Sequence, residues 1–348
     1  MPARSQRALA VVSGLAIGWL AFCLLVWGYG ASPRAMAGLL FEGTWGSSGG
    51  IGQVLFKATP LLFTAVAVDV ALRAGLFNIG ADGQVAVASL AAGVVGSRLP
   101  AGTPAALALP ATMMAAMAAG GMWAAVPAIL KGRHGAHEVI STIMMNRIAD
   151  GVVGFALGAG GLALAGSVRT AEIVPGARIP RLETWFPAFR GSAVSLSVLL
   201  AVITALVVTQ SYRRTRFGRE LVLIGQGARA MEAAKVPVAR RFEQAFVLSG
   251  AIAGLASLGT VLGYKGYFEE GLGAGAGFGG LAVALLGRGH ALGLIAAALL
   301  FGTLEQGGLA VNEFVPKELM DVVAGIVVAA VAVEDLRASR TRSAGAST

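Results

Sequence analysis

Charge is scarce in this sequence: only 13% of its 348 residues are charged, where soluble proteins carry about 25%. There is one cysteine, Cys23, which excludes an internal disulfide framework and a thiolate metal cluster. The three histidines (His134, His137 and His290) are too few and too scattered for a zinc site. Neither a G-x-x-x-x-G-K-[S/T] nucleotide loop nor a catalytic acid/base dyad is recognisable. The sequence therefore offers no candidate metal, disulfide, nucleotide or catalytic site.

Apolar residues are abundant instead. Hydrophobic residues make up 56% of the chain, and the mean hydropathy is +0.75. A soluble globule of this composition could not cover its surface with polar groups, so the sequence predicts an all-α, polytopic membrane bundle. The 50 glycines fit this prediction, because small residues allow membrane helices to approach closely.

About ten apolar segments are predicted to cross the membrane, since a spanning helix needs about 20 apolar residues. They lie near residues 8–28, 52–72, 77–97, 103–130, 137–165, 191–210, 243–263, 276–287, 291–310 and 319–336. Segment 276–287 is short and begins within the stretch GLGAGAGFGG, so it is either a full span or a broken, re-entrant helix. We predict one transmembrane domain, residues 1–348, in which 52–130 and 243–310 are candidate inverted repeats.

Lys and Arg are concentrated between residues 211 and 242. The positive-inside rule predicts that this segment is a cytoplasmic loop and that both termini are cytoplasmic. A nucleic-acid surface is disfavoured, because the segment has no interleaved aromatic residues and no known binding module. The first helix is predicted to be retained and not cleaved as a signal peptide, because its apolar run of about 20 residues exceeds the usual 7–15.

Segment 137–165 contains a charged pair that is costly inside a membrane. Arg147 and Asp150 are three residues apart, so their side chains can pair on one helical face. Two interpretations remain open. The pair neutralises itself between packed helices, or it lines a hydrated pathway together with Asn146.

Three further carboxylates, Asp69, Asp82 and Glu138, lie near predicted helix ends. Solvated helix ends are the simplest expectation for them, because water is close there. The 3.6-residue period also places Glu138 on one helical face with Thr142 and Met145.

The basic loop is predicted to contain a short helix, Ala228–Val236, which is rich in good helix formers. Gly225 and Gly227 precede it, and Pro237 ends it. Such a helix either lies on anionic lipid or docks a cytoplasmic partner.

Four motifs follow one another in a distinctive order: NIGADGQ at 78–84, HEVISTIMMNRIA at 137–149, FGRELVLIGQGARAMEAAKVPV at 217–238 and GAGFGGLAVALLG at 275–287. With them, residues 50–336 resemble the permease subunits of ATP-binding-cassette (ABC) importers for simple sugars, nucleosides and branched-chain amino acids. The EVIST string is most similar to the nucleoside-type branch, which works with lipoprotein-type binding proteins. This chain departs from the family pattern at three positions: Asp82 replaces a Glu, His137 replaces an Asn, and Arg147 replaces an aromatic residue.

The resemblance implies a membrane subunit of an importer in the bacterial cytoplasmic membrane, and not an enzyme. Two separate ATPase subunits would bind ATP and Mg²⁺, so this chain would hold no cofactor. A second permease (identical or homologous), an extracytoplasmic solute-binding protein and membrane lipid complete the expected partners. The weakly polar spans favour a neutral solute, either a nucleoside or a simple sugar.

The resemblance also implies roles for individual residues. ATPase motion would enter through Gly225, Ala228, Met231, Glu232, Ala233 and Ala234. The candidate residues of the translocation path are Asn78, Asp82, Gln84, Glu138, Ser141, Thr142, Asn146, Arg147, Asp150 and Phe278. For Asn78, Asp82 and Gln84 the other expectation is that they cap a helix start, which is the commoner use of polar side chains at such positions.

Three other functions are consistent with the sequence. An ion-coupled secondary transporter would use Arg147 and Asp150 and would need no ATPase. A branched-chain amino acid permease of the same family would differ only in its solute. A membrane scaffold would tolerate deletion of Ala228–Val236 without any change in solute uptake.

Overall fold

The computed structural model describes residues 2–287 and 289–345, with side chains described for 12–287 and 289–333. These residues form twelve α-helices: α1 Pro2–Gly28, α2 Pro33–Thr44, α3 Ser48–Arg73, α4 Ala81–Arg98, α5 Ala105–His134, α6 Glu138–Leu157, α7 Ser197–Arg214, α8 Arg216–Ala233, α9 Val238–Gly254, α10 Ala276–Gly287, α11 Ala291–Val311 and α12 Glu318–Gly345. A π-helical segment, Leu258–Lys265, follows α9. Isolated bridges are the only β pairing in the described ranges, and the predicted all-α class is confirmed.

Five described stretches are long and apolar enough to cross a membrane: α3, α5, α6, α11 and the continuous run Val238–Lys265. A sixth results if α1 and α2, which are bent by 116° at their junction, count as one broken span. The polytopic class is confirmed, but the described residues contain fewer full spans than the ten or so predicted, for one of which, 276–287, a re-entrant helix was the alternative. α4 is short and carries charge at both ends, and α10 has 12 residues. At 1.5 Å per residue, α10 covers about 18 Å of a hydrocarbon core about 30 Å thick.

The structure contains two compact units. The first comprises Met1–Lys57 and Leu299–Thr348. Its described core joins side chains of α1, α2, α11, α12 and the connection between the last two helices, namely Phe22, Val26, Met36, Val311, Val315, Leu319, Met320 and Val323. Trp45 adds a hydrogen bond from its indole N–H to the hydroxyl of Thr303 at 3.1 Å.

The second unit, Ala58–Ala298, contains α4 to α10 and the candidate site. α5 packs along α9 so closely that a Cβ on Gly120 would overlap the backbone carbonyl of Gly250. A Cβ on Gly254 would likewise meet the carbonyl of Ala116. Glycine therefore allows the two backbones to touch, as expected where packing and not hydrophobicity drives helix association.

Several predicted boundaries were wrong. α6 ends at Leu157, short of the predicted residue 165, because three glycines follow and Gly161 has φ +65°. The loop helix does not begin at Ala228: α8 starts at Arg216 and is interrupted at Gly227, where the backbone is extended (φ −175°, ψ 82°). Helix α2 was not predicted at all.

Candidate functional site

A buried amide cluster fixes the segment between α3 and α4. The Asn78 Nδ2 donates to Gln84 Oε1 at 3.0 Å and to Ser249 Oγ at 2.8 Å. The Asn78 Oδ1 accepts from Gln84 Nε2 at 3.1 Å and from the Gly80 N–H at 3.1 Å. Both amide side chains are almost completely buried. Gly80, and not Asn78, occupies the N-cap position of α4, but Asn78 does hold the backbone where the helix starts.

Asn146 on α6 binds the same segment from the other side. Its Oδ1 accepts the Gly83 N–H at 2.9 Å, and its Nδ2 donates to the Ile79 carbonyl at 2.9 Å. Together with Asn78 and Gln84, this side chain joins α4 to α6 and α9 through hydrogen bonds made inside the chain. The geometry gives these three predicted path residues packing contacts, and their exposure to a solute remains a prediction.

Asp82 faces a cavity of about 220 Å³ that is also lined by Asp150, Glu270 and the glycine-rich stretch 271–274. One carboxylate oxygen of Asp82 accepts the N–H groups of Gly275 at 2.9 Å and Gly277 at 3.1 Å. Asp82 therefore satisfies the first N–H groups of α10 and not those of its own helix. Phe278, another predicted path residue, is half exposed on α10.

Arg147 and Asp150 form the predicted ion pair, with Arg147 Nη1 and Asp150 Oδ2 3.5 Å apart. Their side chains are 84% and 65% exposed, although both lie within the apolar helix α6. The pair is thus not covered by the described part of this chain, and Asp150 contributes to the wall of the cavity.

The start of α6 holds three more predicted path residues. Glu138 is buried and paired with Lys131, whose Nζ lies 2.8 Å from its Oε2. The hydroxyls of Ser141 and Thr142 donate to the Glu138 carbonyl at 3.1 and 2.7 Å. The expectation of a solvated carboxylate was wrong for Glu138, and also for Asp69, which is 3% exposed. In both cases a basic side chain of the same chain takes the place of water.

The basic loop folds as α8, whose first half is fixed to α9 by Glu220. The carboxylate of Glu220 accepts from Arg216 Nε at 2.7 Å and from Arg241 Nε at 2.6 Å. These two guanidinium groups lower the pKa of Glu220 below its ordinary value of 4.5.

Beyond the break at Gly227, the predicted coupling residues differ in exposure. Glu232, Ala233 and Ala234 are exposed, whereas Ala228 and Met231 are half-buried.

The Glu220 cluster predicts acid-sensitive packing of α8. A carboxyl group whose folded pKa is lowered stabilises the fold above its unfolded pKa, and this contribution is lost as the pH falls through the folded value. We expect Glu220→Gln to unfold at a lower temperature than wild type at pH 7, with the difference shrinking below about pH 4.5. Thermal unfolding in detergent across this range measures it.

Glu243→Gln is the matched control. Its partner Arg133 is 67% exposed, and exposed ion pairs contribute only about 0–1 kcal/mol. A pH-independent difference for Glu220→Gln would contradict the assignment.

Sequence reasoning missed a polar network around Arg73, the last residue of α3. Its Nη2 donates to the Gly289 carbonyl at 2.5 Å, and its Nε lies 3.5 Å from Asp69 Oδ1. The Tyr212 hydroxyl donates to the other Asp69 oxygen at 3.0 Å, and the guanidinium lies 5.0 Å from the Tyr212 ring centre. The i, i+4 spacing of Asp69 and Arg73 was the available sequence signal. Tyr212 is 143 residues from Asp69, and no local pattern joins the two.

These observations define a class: a polytopic helical membrane protein with a cavity lined in part by three carboxylates and a loop helix that presents an exposed tip. Residues 50–332 match the family described as the permease component of the branched-chain amino acid transport system. The chain belongs to this family.

Named relatives cover nearly the whole chain. The guanosine ABC transporter permease protein NupP of Bacillus subtilis is 35% identical over 93% of this chain and 91% of its own length. The glucose ABC transporter permease protein TsgB13 of Haloferax volcanii is 30% identical over 92% of this chain and 84% of its own. The nucleoside ABC transporter permease protein NupB of Lactococcus lactis is 26% identical over 95% and 92%. The chain is therefore an ABC-transporter permease, a transport subunit and not an enzyme.

Proposed function

We propose that the chain is the membrane-spanning subunit of an importer that moves a neutral small solute, a nucleoside or a simple sugar, into the cytoplasm. The observation that supports this most is the similarity over almost the full length to permeases named for guanosine, glucose and nucleosides. The cavity supports it as well, because the carboxylates of Asp82, Asp150 and Glu270 can accept hydrogen bonds from hydroxyl and amino groups.

The energy source in this proposal is a pair of ATPase subunits that bind ATP and Mg²⁺ outside this chain. They contact the exposed tip of α8, namely Glu232, Ala233 and Ala234. Gly225, Ala228 and Met231 transmit the motion inward. An extracytoplasmic binding protein delivers the solute. Solute selectivity therefore lies mostly in the binding protein and not in the permease.

A second permease, identical or homologous, completes the pathway. An Arg or Asp at the centre of a membrane helix costs about 2.5–3.5 kcal/mol on insertion scales. Arg147 and Asp150 are exposed on a helix of spanning length, so lipid is an unfavourable neighbour for them. A water-filled path shared with the second permease removes this cost. The same argument makes the pair, with Phe278 and Asp82, the preferred wall of the path, while Asn78, Gln84, Glu138, Ser141, Thr142 and Asn146 support it.

The proposed location is the cytoplasmic membrane, with both termini and the basic loop on the cytoplasmic side. The Arg residues of α8 and its neighbours then face the anionic lipid headgroups of that leaflet.

Uptake of tritiated guanosine, labelled glucose and labelled leucine by native cells tests the proposal, in the wild type and after deletion of the gene. We expect deletion to reduce the uptake of guanosine or of glucose and to leave leucine uptake unchanged. A loss confined to leucine uptake would identify a branched-chain amino acid permease instead. Uptake that survives replacement of residues 228–236 by a flexible linker would favour a scaffold role.

A further inference from the structure

The short helix α10 has features of a movable element. Its 12 residues lie between the glycine-rich stretch before it, where Gly271, Gly273 and Gly275 have φ of 81°, 85° and 83°, and Gly289, with φ 67°. Glycine adopts such positive φ values readily, whereas residues with a side chain rarely do. Both connections to α10 are therefore glycine turns.

The contact surface of α10 toward α3 and α4 is also made of glycine. A Cβ on Gly277 would overlap the Asp82 backbone, and a Cβ on Gly280 would overlap Thr64. Side-chain hydrogen bonds across this surface run from the Thr64 hydroxyl to the Ala276 carbonyl at 2.7 Å and from the Gly277 N–H to the Asp82 carboxylate at 3.1 Å. On the α10 side, Gly277, Gly279 and Gly280 contribute no side chains to this surface, although Leu61 and Thr64 of α3 pack into the spaces that Gly279 and Gly280 leave.

Both ends of α10 are held by charged side chains. At its start, Asp82 accepts the N–H groups of Gly275 and Gly277 beside the cavity. Just past its end, Arg73 donates to the Gly289 carbonyl. Hydrogen bonds to charged groups are stronger than neutral ones, so these two contacts hold α10 at both ends.

The Arg73 contact reaches α8. Gly225 lies directly on the backbone at the end of α3: a Cβ there would overlap the Arg73 carbonyl and lie 3.1 Å from the Gly75 nitrogen. Arg73 also stacks on Tyr212 and faces Asp69, which ties it to α7. Displacement of α8 must therefore move the end of α3, and with it the guanidinium that holds α10.

We propose that Arg73 is the positioning residue through which α8 controls α10, and that α10 slides to reshape the cavity wall during the transport cycle. The inference rests on the proposed function, since it assigns the movement of α8 to a bound ATPase. Residues 271–274 of the cavity wall lead directly into α10, so displacement at Gly289 is delivered to them through the helix itself. The hydrogen bonds that Asp82 on α4 accepts from Gly275 and Gly277 must then rearrange.

Distance measurements by electron spin resonance test this in the purified complex with its ATPase. Cys23 is first replaced by alanine, and spin labels are placed at Leu285 on α10 and Met122 on α5, which are 44% and 68% exposed. We expect the distance to change between the nucleotide-free and the ATP–vanadate-trapped complex. In Arg73→Gln we expect the fraction of complexes with the changed distance to fall about fivefold or more, which is the lower end of a typical allosteric coupling. ATP hydrolysis should continue in this variant.

Arg133→Gln is the matched control, because Arg133 also ends a helix and is 67% exposed, and its ion pair is with Glu243 on α9. If Arg73→Gln does not assemble, Arg73→Lys replaces it: lysine keeps the charge but lacks the planar fork that reaches both Gly289 and Asp69. A wild-type-sized shift in the Arg73 variant overturns the inference, as does an unchanged distance in the wild-type complex with ATPase bound. A wild-type chain that binds no ATPase overturns the proposed function, and this inference with it.

Discussion

Replacing Gly225 by alanine is expected to reduce ATP-driven transport about tenfold or more, because overpacking a close contact costs about 1–3 kcal/mol and 1.4 kcal/mol is a factor of ten. The added methyl group would overlap the Arg73 carbonyl, so α8 must move away from the end of α3. Residues on the exposed tip are untouched, and ATPase binding should persist. The measurement is solute accumulated per ATP hydrolysed in proteoliposomes.

Gly227→Ala controls for the loss of glycine in the same loop. Its Cβ would meet Ala230 at 3.8 Å, an ordinary contact, and its φ of −175° is open to any residue. We expect this variant to keep the thermal stability and ATPase binding of wild type. If Gly225→Ala transports as efficiently as wild type, α8 does not act through the end of α3.

Replacing Asn78 by alanine is expected to destabilise the fold more than any other substitution in the site. The change removes the partners of the Gln84 amide oxygen and nitrogen and of the Gly80 N–H, all inside the protein, whereas the Ser249 hydroxyl keeps its hydrogen bond to the Ala67 carbonyl. Each orphaned buried group costs about 1–3 kcal/mol, so the total is about 3 kcal/mol or more. Thermal unfolding in detergent should show a fall of about 5 °C.

Ser141→Ala is the comparison for Asn78→Ala, because this half-exposed hydroxyl donates only to backbone carbonyls of its own helix. We expect its unfolding temperature to stay close to that of wild type. Should Asn78→Ala retain full stability yet lose transport, the amide would contact solute and the packing role assigned to it would be incorrect.

Much of the fold could be predicted because the signals are local. Apolar runs gave the positions of α3, α5, α9 and α11, and the 3.6-residue period placed Glu138, Thr142 and Met145 on the buried face of α6. Helix length was harder to predict. Hydropathy continues past Leu157, but the backbone freedom of the following glycines ends the helix there.

The candidate site could be predicted only in part, for the same reason. The ion pair of Arg147 and Asp150 follows from three-residue spacing, and it is present. The contact of Asp82 with Gly275 joins residues 193 positions apart, and neither residue carries a local mark of the other. Tertiary packing decides such partners. For that reason the Asp82 carboxylate was expected to cap its own helix, α4, whereas it accepts N–H groups at the start of α10 instead.

The central claim is that this chain is driven by an ATPase bound at α8 and does not transport alone. Proteoliposomes containing the chain with or without its ATPase, loaded with ATP or left empty, and supplied with the binding protein outside, test it with tritiated guanosine and labelled glucose. We predict accumulation of one of these solutes when ATPase and ATP are both present. Accumulation by the chain alone under a proton or sodium gradient, without ATP, would contradict the account.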